Sequence, residues 1–333
     1  MKYTYSPSSK KDGRYINPFM EDTKRTIKDI FRWKMGYYKG KGKPDLPPDD
    51  FHYPTHSHEV DLMQPYVLWI NHCSFLIHVE GLYFLTDPIW NGCCSPIPFV
   101  GLKRHHSPGL LLEDLPKIDY VLISHDHYDH LDKNSVLKLN NKFPQINWIV
   151  PQGVKKWIKK RKIKRVVELD WYENVSYNTS SGISINIYAT PAQHFSGRVF
   201  INANKTLWVG YVVEIKKEDK LLKRFYFSGD TGYNPYDFKH IGKKWNKMDL
   251  SMIPIGTYEP RDFMKPVHVN PLESVSIHKE VGSRFSIGMH WKTFRLSDEP
   301  MNQPPYALYL AMKENRLNPK DFVALEPGVY VNW

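Results

Sequence analysis

Six consecutive residues near the middle of the chain combine three histidines with two aspartates. The stretch reads His125-Asp-His-Tyr-Asp-His130 and matches the pattern HxHxDH. It directly follows Tyr120-Val-Leu-Ile-Ser124, whose residue types predict a buried strand. Imidazole nitrogens and carboxylates are ligands that borderline divalent cations such as zinc prefer. We therefore predict a metal site at the end of this strand. Its first candidate ligands are His125, His127, Asp129 and His130.

Further ligands must come from distant parts of the chain, because one short loop cannot close two tetrahedral sites. Three candidates follow or close apolar, strand-like runs. They are His194 in Thr190-Pro-Ala-Gln-His194, Asp230 in Phe227-Ser-Gly-Asp-Thr-Gly232, and His290 in Ile287-Gly-Met-His-Trp291. Catalytic residues commonly gather in loops at strand ends, so we expect these side chains to converge on one edge of the sheets.

The elements that must position these residues begin after a polar, proline-containing stretch. We interpret residues 1–60 as an arm packed on one hydrolase domain, residues 61–333. Early hairpins followed by alternating strands and helices predict an α+β fold, with two mixed sheets face to face and helices outside. The predicted strands are 66–70, 73–80, 82–87, 119–124, 147–150, 184–189, 207–215, 224–227, 250–255 and 285–289. The predicted helices are 134–143, 154–162, 271–282 and 306–315.

The order of these motifs resembles the metallo-β-lactamase superfamily, whose αββα sandwich holds one or two metal ions. The resemblance implies a centre of two zinc ions. Its implied ligands are His125, His127 and His194 for one ion and Asp129, His130 and His290 for the other, with Asp230 bridging them.

Two residues are expected to support the metal-binding loop. Asp87, in Phe84-Leu-Thr-Asp-Pro88, resembles the superfamily's buried aspartate that holds this loop. His72 follows the predicted strand 66–70, and we expect it to brace the region through a backbone hydrogen bond.

The likeness extends to one branch, N-acyl-phosphatidylethanolamine-hydrolysing phospholipase D and its bacterial relatives. It spans about four-fifths of the chain. Its motifs are Leu85-Thr-Asp-Pro-Ile89, Glu168-Leu-Asp-Trp171, Thr190-Pro-Ala-Gln-His194, Gly229-Asp-Thr-Gly-Tyr233, Ile253-Pro-Ile-Gly-Thr-Tyr-Glu-Pro260 and His290-Trp-Lys-Thr-Phe294. Arg14-Tyr-Ile-Asn-Pro18 also resembles this family's N-terminal strap. The chain departs from animal members at Asp126, where they carry Asn, and at Val267-His-Val-Asn270, where they tend to carry Gln-His-Val-Asp.

A two-zinc centre would make hydroxide available near neutral pH and clamp a phosphodiester. We expect in-line attack on phosphorus, with Asp129 orienting the nucleophile or taking its proton. His268 is the candidate for holding phosphate or protonating the leaving alkoxide; the alternative is a turn histidine that only caps or packs. Four aromatic residues either line an apolar substrate groove or belong to the core: Tyr233, Tyr258, Trp291 and Phe294.

The family resemblance implies hydrolysis of N-acyl phosphatidylethanolamine to phosphatidic acid and N-acylethanolamine, by a homodimer. The same centre could instead act in the cytosol on a small phosphodiester or lactone, since fold and metals do not fix the substrate. A nuclease and a metal-binding module without turnover are further alternatives. The phospholipase-like motifs argue against a nucleic-acid partner.

Composition places the chain among globular proteins that fold in water. It has 333 residues, with 46 Lys+Arg against 35 Asp+Glu and a net charge of +11. No run has the roughly 18 apolar residues of a membrane span, and the N-terminus lacks a signal-peptide core, so we expect a cytoplasmic protein.

Eight cations between Lys155 and Arg165 form either a solvated helix face or a peripheral contact with anionic membrane. Three cysteines, two of them adjacent, argue against a disulfide framework and favour a reducing compartment.

Overall fold

The computed structural model describes residues 6–20, 27–38, 46–54, 60–95, 101–198 and 202–333. Within these ranges, two seven-stranded sheets form the centre of the molecule. Their spatial orders are β10-β9-β8-β5-β4-β3-β18 and β11-β12-β13-β14-β15-β16-β17, numbered along the chain as follows. The strands are β1 Ser9–Lys11, β2 Arg14–Ile16, β3 Tyr66–Asn71, β4 Ser74–Val79, β5 Leu82–Thr86, β6 Cys93–Cys94, β7 Leu102–Lys103, β8 Tyr120–Leu122, β9 Asn147–Pro151, β10 Val166–Leu169, β11 Asn174–Asn178, β12 Ile183–Thr190, β13 Gly210–Lys217, β14 Lys220–Phe227, β15 Leu250–Pro254, β16 Ser286–Met289, β17 Phe322–Val323 and β18 Tyr330–Asn332.

Seven helices accompany the sheets in the described ranges. They are α1 Ile27–Lys34, α2 Lys133–Lys142, α3 Lys155–Lys159, α4 Asp237–Trp245, α5 Arg261–Met264, α6 Pro271–Glu280 and α7 Gln303–Glu314. The N-terminus of α6 has a capping box, in which the Asn270 side chain accepts from the Glu273 backbone N–H and the Glu273 carboxylate accepts from the Asn270 N–H. This arrangement fixes the end of the loop that carries His268.

The main core lies between the two sheets. Phe84 of the first sheet packs edge-on against Phe225 of the second, with 5.3 Å between ring centroids. A second cluster covers the outer face of the first sheet, where Val121 lies with Val136 of α2 and Ile158 of α3. Because apolar layers cover both faces, strands such as β3 and β8 are buried along their whole length.

The direction of the strands brings distant loops to one edge. In the first sheet β5 pairs in parallel with β8, and β3 has the same direction because β4 is antiparallel to both β3 and β5. In the second sheet β14, β15 and β16 are parallel, and β12 shares their direction through the antiparallel β13. The loops that follow these strands therefore gather at the carboxyl-terminal edge of the sandwich.

The predicted sandwich is confirmed, and all ten predicted strands and four predicted helices have counterparts with shifted ends. Helix 154–162 is shorter than predicted and spans only Lys155–Lys159. The prediction omitted α1, α4 and α5 and several short strands. Among these, β10 and β11 lie at sheet edges. The residues of β11 alternate between exposed and half-buried, so the apolar pattern of this strand is weak.

The described part of the arm lies on the domain. The Tyr15 hydroxyl donates to Gln152 Oε1 at 2.7 Å, and the Asn17 amide donates to the carbonyl oxygen of His194 at 2.7 Å. Within the ranges that the structure describes, no helix has both the length and the hydropathy required to span a bilayer.

Candidate metal centre

Asp87 is hydrogen-bonded to both ends of the segment 124–130, which contains the candidate ligands of the HxHxDH motif. Its carboxylate is fully buried and accepts hydrogen bonds from the Ser124 backbone N–H at 2.7 Å and from His130 Nδ1 at 2.7 Å. Burial raises the pKa of this carboxyl, against the opposing effect of His130. Since Nδ1 of His130 is bound to Asp87, the other ring nitrogen is left to face the centre.

Three histidines form a first group, which we call the three-histidine group: His125, His127 and His194. The Nδ1 atom of His127 lies 2.8 Å from His125 Nε2 and 3.3 Å from His194 Nε2. The second nitrogens of His125 and His194 are occupied, because His125 Nδ1 lies 2.9 Å from Ser124 Oγ and His194 Nδ1 donates to the Val267 carbonyl at 2.9 Å.

The three-histidine group is suited to a cation. Burial lowers the pKa of His127 to about 4 and that of His194 to about 3, and it holds the pKa of His125 well below its usual range. The rings are therefore neutral near pH 7, and one nitrogen of each lies within 4.8 Å of the others. Neutral imidazole nitrogen is a standard zinc ligand, so a cation can be held by all three.

A second group, the carboxylate–histidine group, lies beside the first and consists of Asp129, His130, Asp230 and His290. The Oδ2 atom of Asp230 is 3.2 Å from His130 Nε2 and 2.9 Å from His290 Nε2. Both ring nitrogens are buried and find no hydrogen-bond partner of acceptable geometry among the described residues. Unsatisfied buried nitrogens beside carboxylates are the donor set that a divalent cation completes.

Charge dominates the ionisation of this second group. Burial alone would lower the pKa of His290, but the carboxylates of Asp230 and Asp129 raise it to about 9. The same carboxylates hold the pKa of His130 well above its usual range despite its burial. Burial would raise the pKa of Asp230, yet the adjacent imidazoles lower it well below its usual range.

Asp230 connects the two groups. Its Oδ2 also lies 3.8 Å from His194 Nε2, so one carboxylate oxygen faces ligands of both groups. The preceding Gly229 has a φ of +60°, and a Cβ there would approach the Cβ of Ser124 to 2.7 Å. Only glycine allows this turn to pass so close to the metal-binding loop.

His72 contacts the centre through more than its backbone. The expected backbone contacts are present, since the His72 N–H donates to Thr293 Oγ1 at 2.7 Å and the His72 carbonyl accepts from the His290 N–H at 3.1 Å. In addition, His72 Nε2 donates to Asp129 Oδ2 at 2.8 Å, which the sequence analysis missed. The imidazole therefore orients the Asp129 carboxylate.

His268 faces the centre between the two groups. Its ring centroid lies 5.1 Å from that of His194 and 5.3 Å from that of His290. The side chain is buried, and its Nδ1 atom has no hydrogen-bond partner among the described residues. Its backbone carbonyl accepts from Arg261 Nη1 at 2.8 Å, which fixes the turn. A free ring nitrogen at this position can reach a bound ligand.

The four aromatic candidates do not share one environment. The ring of Trp291 stacks on Trp69 at 5.4 Å and packs against the core. Tyr233 donates its hydroxyl to Glu280 Oε1 at 2.8 Å, and its ring lies parallel to that of Phe238. Phe294 lies beside His72, with 5.3 Å between ring centroids, and Tyr258 is buried.

Three further residues position the centre without having been predicted. Thr257 Oγ1 lies 2.9 Å from His290 Nδ1, and Arg198 Nη1 donates to the carbonyl oxygens of Asp126 and Leu131 at either end of the metal-binding loop. Cys73 Sγ lies 3.9 Å from Asp230 Oδ1. Thr257 is part of the 253–260 motif, which was the only sequence signal for any of them.

Asp126, where the chain departs from the animal pattern, is buried but belongs to neither group. Its Oδ1 accepts from the backbone N–H of Gly197 at 2.8 Å. The departure therefore affects the support of the loop and leaves the converging ligand atoms unchanged.

Comparison with known proteins assigns a class to this fold and site. Residues 83–291 match the model of the β-lactamase superfamily domain. Among solved structures, isothiocyanate hydrolase from Delia radicum gut bacteria superposes with a TM-score of 0.59 at 17% identity, covering 80% of this chain and 99% of that one, which shows the shared fold.

Closer relatives narrow the assignment. N-acyl-phosphatidylethanolamine-hydrolyzing phospholipase D 1 of Caenorhabditis elegans is 41% identical over 270 residues, covering 79% of this chain and 74% of the relative. The mitochondrial N-acyl-phosphatidylethanolamine-hydrolyzing phospholipase D of Saccharomyces cerevisiae is 34% identical over 77% of this chain, which spans 54% of the yeast protein. The chain thus belongs to the metallo-β-lactamase superfamily of metal-dependent hydrolases and, within it, to the N-acyl-phosphatidylethanolamine-hydrolysing phospholipase D family.

Proposed function

We propose that this chain is a zinc-dependent phosphodiesterase of the phospholipase D type, which hydrolyses N-acyl phosphatidylethanolamine to phosphatidic acid and N-acylethanolamine. The observation that carries the proposal is the convergence of two ligand groups around Asp230 in a chain 41% identical to a relative named for this activity. A pair of cations suits a phosphodiester, because both the entering and the leaving oxygen need charge stabilisation.

The proposed ligand sets follow the geometry of the two groups. The three-histidine group would hold one zinc ion and the carboxylate–histidine group the other, with Asp230 shared between them. Bound there, the ions would supply Lewis acidity and make hydroxide available near neutral pH.

The chain's own residues would orient the reactants. Asp129, held by the imidazole of His72, would align the attacking water or accept its proton. His268 would hold a phosphate oxygen through its unpartnered ring nitrogen or pass a proton to the leaving alkoxide. Both residues are buried or nearly so, which strengthens their electrostatic effect on the substrate.

The organisation around this site is also part of the proposal. Residues 1–60 would act as an arm on the hydrolase domain 61–333, and two copies of the chain would form a homodimer. The enzyme would work in the cytoplasm with peripheral contact to anionic membrane, attracted by its net charge of +11. Phe294 and Tyr258 remain candidates for the acyl-chain groove.

Product analysis tests the proposal directly. Zinc-loaded protein and its Asp230→Asn variant would each be incubated with a mixed phospholipid extract, followed by mass spectrometry. We expect N-acylethanolamines and phosphatidic acid to rise with the wild-type protein alone. The same proteins would be assayed in parallel on a chromogenic phosphodiester. Cleavage of this compound without formation of the lipid products would overturn the lipid assignment in favour of a smaller substrate. If the chromogenic group is not released in a metal-dependent way either, the chain is a binding module instead.

A further inference from the structure

Described residues of the N-terminal segment contact the domain near two residues of the metal centre, His194 and His268. After the contact of Asn17 with the His194 carbonyl, the ring of Phe19 packs against Tyr236 with 4.5 Å between centroids. Farther along, Trp33 of α1 stacks on Phe263 of α5 at 5.2 Å. These contacts place α1 beside the element that leads into the loop of His268.

Helix α1 is fixed to the domain by one side. The indole N–H of Trp33 donates to Asp298 Oδ2 at 2.9 Å, and the ring of Tyr38 lies 5.3 Å from that of Phe263. Trp33 and Tyr38 are both half-buried. The helix therefore has a defined inner side, formed by aromatic contacts with α5.

Three large apolar side chains of this segment are exposed to solvent among those whose burial the structure describes. Phe31 is 63% exposed, Met35 is 61% exposed and Tyr37 is 75% exposed. Lys28 and Arg32 are exposed in the same turns. We call these five residues the arm face. Apolar and aromatic side chains mixed with cations in a short helix are typical of segments that lie in the interface of an anionic membrane.

We propose that the arm face docks on the surface of an anionic phospholipid bilayer and holds the side of the domain that carries α5 and the His268 loop toward it. This inference rests on the proposed function, because a phospholipase must take its substrate from a bilayer. Phe31, Met35 and Tyr37 would enter the boundary between headgroups and acyl chains, while Lys28 and Arg32 would pair with lipid phosphates. The position of α1 beside α5 would then shorten the path of the lipid headgroup to His268.

Vesicle sedimentation tests the docking without catalysis. The vesicles would contain phosphatidylcholine with about one-third phosphatidylglycerol and no N-acylated lipid, at low salt. We expect the triple variant Phe31→Ser/Met35→Ser/Tyr37→Ser to bind at least about tenfold more weakly than the wild-type protein. Its cleavage of a soluble chromogenic phosphodiester should stay at the wild-type level, which shows that the fold and the centre are intact.

A matched control removes exposed apolar side chains elsewhere. Leu62 and Met63 are 56% and 88% exposed and lie near the Asp61–Asn332 contact at the edge of the first sheet. The double variant Leu62→Ser/Met63→Ser should bind vesicles as the wild-type protein does. Equal loss in this control, or wild-type binding by the triple variant, would overturn the inference.

Charge substitution separates the electrostatic contribution. Lys28→Gln/Arg32→Gln should weaken binding at low salt and have little effect at high salt, where surface charges are screened. An unchanged low-salt affinity would contradict the role of these cations. If none of these variants changes vesicle binding while the wild-type protein still produces N-acylethanolamines from mixed micelles, the docking inference fails and the proposed function stands.

Discussion

The two halves of the candidate metal centre, the three-histidine group and the carboxylate–histidine group, contain the same imidazole side chains in opposite electrostatic settings. In the three-histidine group, ring nitrogens face one another and burial lowers every pKa. In the carboxylate–histidine group, Asp129 and Asp230 lie within 3.5 Å of histidine nitrogens, and the pKa of His290 rises to about 9. A proton can take the place of a cation in the second group far more readily than in the first.

This difference predicts that the two groups bind metal ions with different pH dependence. Neutral imidazoles bind a metal cation with little competition from protons. Carboxylates neutralise more of the cation's charge, but they also raise the pKa of neighbouring histidines, so protons compete with the cation there. Asp230 faces both groups, so it affects metal binding in each. Substitutions that act on one half, on both halves or on neither should therefore differ in their metal content and in their turnover.

The largest effect is expected for Asp230→Asn, because this residue faces both groups. We expect loss of tightly bound metal from both sites and a fall in turnover on the order of a thousandfold. Elemental analysis and phosphodiester hydrolysis measure the two effects. Asp126→Asn is the matched control, since its carboxylate accepts from Gly197, and it should keep its metal content. Full metal content in Asp230→Asn would show that the two halves are independent.

Single substitutions in each half should remove one ion each. His127→Ala acts on the three-histidine group and His290→Ala on the carboxylate–histidine group, and each should lower the metal content by about half and turnover by several hundredfold. Calorimetric zinc titration distinguishes the remaining site. If His127→Ala and His290→Ala leave the same residual affinity and the same pH dependence of binding, the contrast between the halves is wrong.

His268→Ala should affect neither half. Because His268 contacts the centre without belonging to the proposed ligand sets, we expect turnover to fall about a hundredfold at unchanged metal content. Steady-state kinetics together with elemental analysis measure this separation. Loss of metal in His268→Ala would identify the residue as part of the ion-binding structure.

His72→Ala should weaken only the carboxylate–histidine half. Removal of the hydrogen bond to Asp129 typically costs about 10- to 100-fold in metal affinity. His72→Gln keeps a donor and should recover part of the loss. A competitive chelator titration provides the affinities. An equal loss at the three-histidine site would mean that His72 acts through the fold rather than through Asp129.

The smallest predicted effect is on the free energy of unfolding, and it comes from a histidine that belongs to neither half. His278 lies in α6 with Nδ1 2.8 Å from Ser286 Oγ, and burial lowers its pKa from 6.5 to about 4. The unfolded chain therefore binds a proton at higher pH than the folded chain, and stability falls as pH drops below 6.5. Between pH 7.5 and 5.5 this residue should cost about 1.4 kcal/mol of unfolding free energy.

Denaturant unfolding of metal-free wild-type protein and His278→Gln at both pH values isolates that contribution. The glutamine variant should lose about 1.4 kcal/mol less over the same interval. An identical loss in both proteins would show that His278 does not titrate in this way.

The sequence predicts the parts of this molecule whose signals are local. The HxHxDH loop follows a short apolar strand, and each distant ligand closes a strand-like run, so strand direction alone accounts for their arrival at one edge. The fold class follows from the same pattern of strands and helices. Edge strands such as β11 were missed because their exposed residues weaken the alternation.

Contacts between loops that are distant along the chain could not be predicted in the same way. The imidazole of His72 reaches Asp129, which is 57 residues away, and the Thr257 hydroxyl lies beside His290. Such pairings depend on the order of the strands within each sheet rather than on neighbouring residues. For Trp291 the sequence leaves a groove and the core open, and the stacking of its ring on Trp69 is a contact that no local pattern predicts.

Anomalous diffraction at the zinc edge from crystals of the zinc-loaded protein tests the central claim most directly. We expect two peaks, one within about 2.1 Å of the facing nitrogens of His125, His127 and His194, and one at a similar distance from His130 and His290. A carboxylate oxygen of Asp230 should lie between them. A single peak, or peaks remote from Asp230, would contradict the two-group centre.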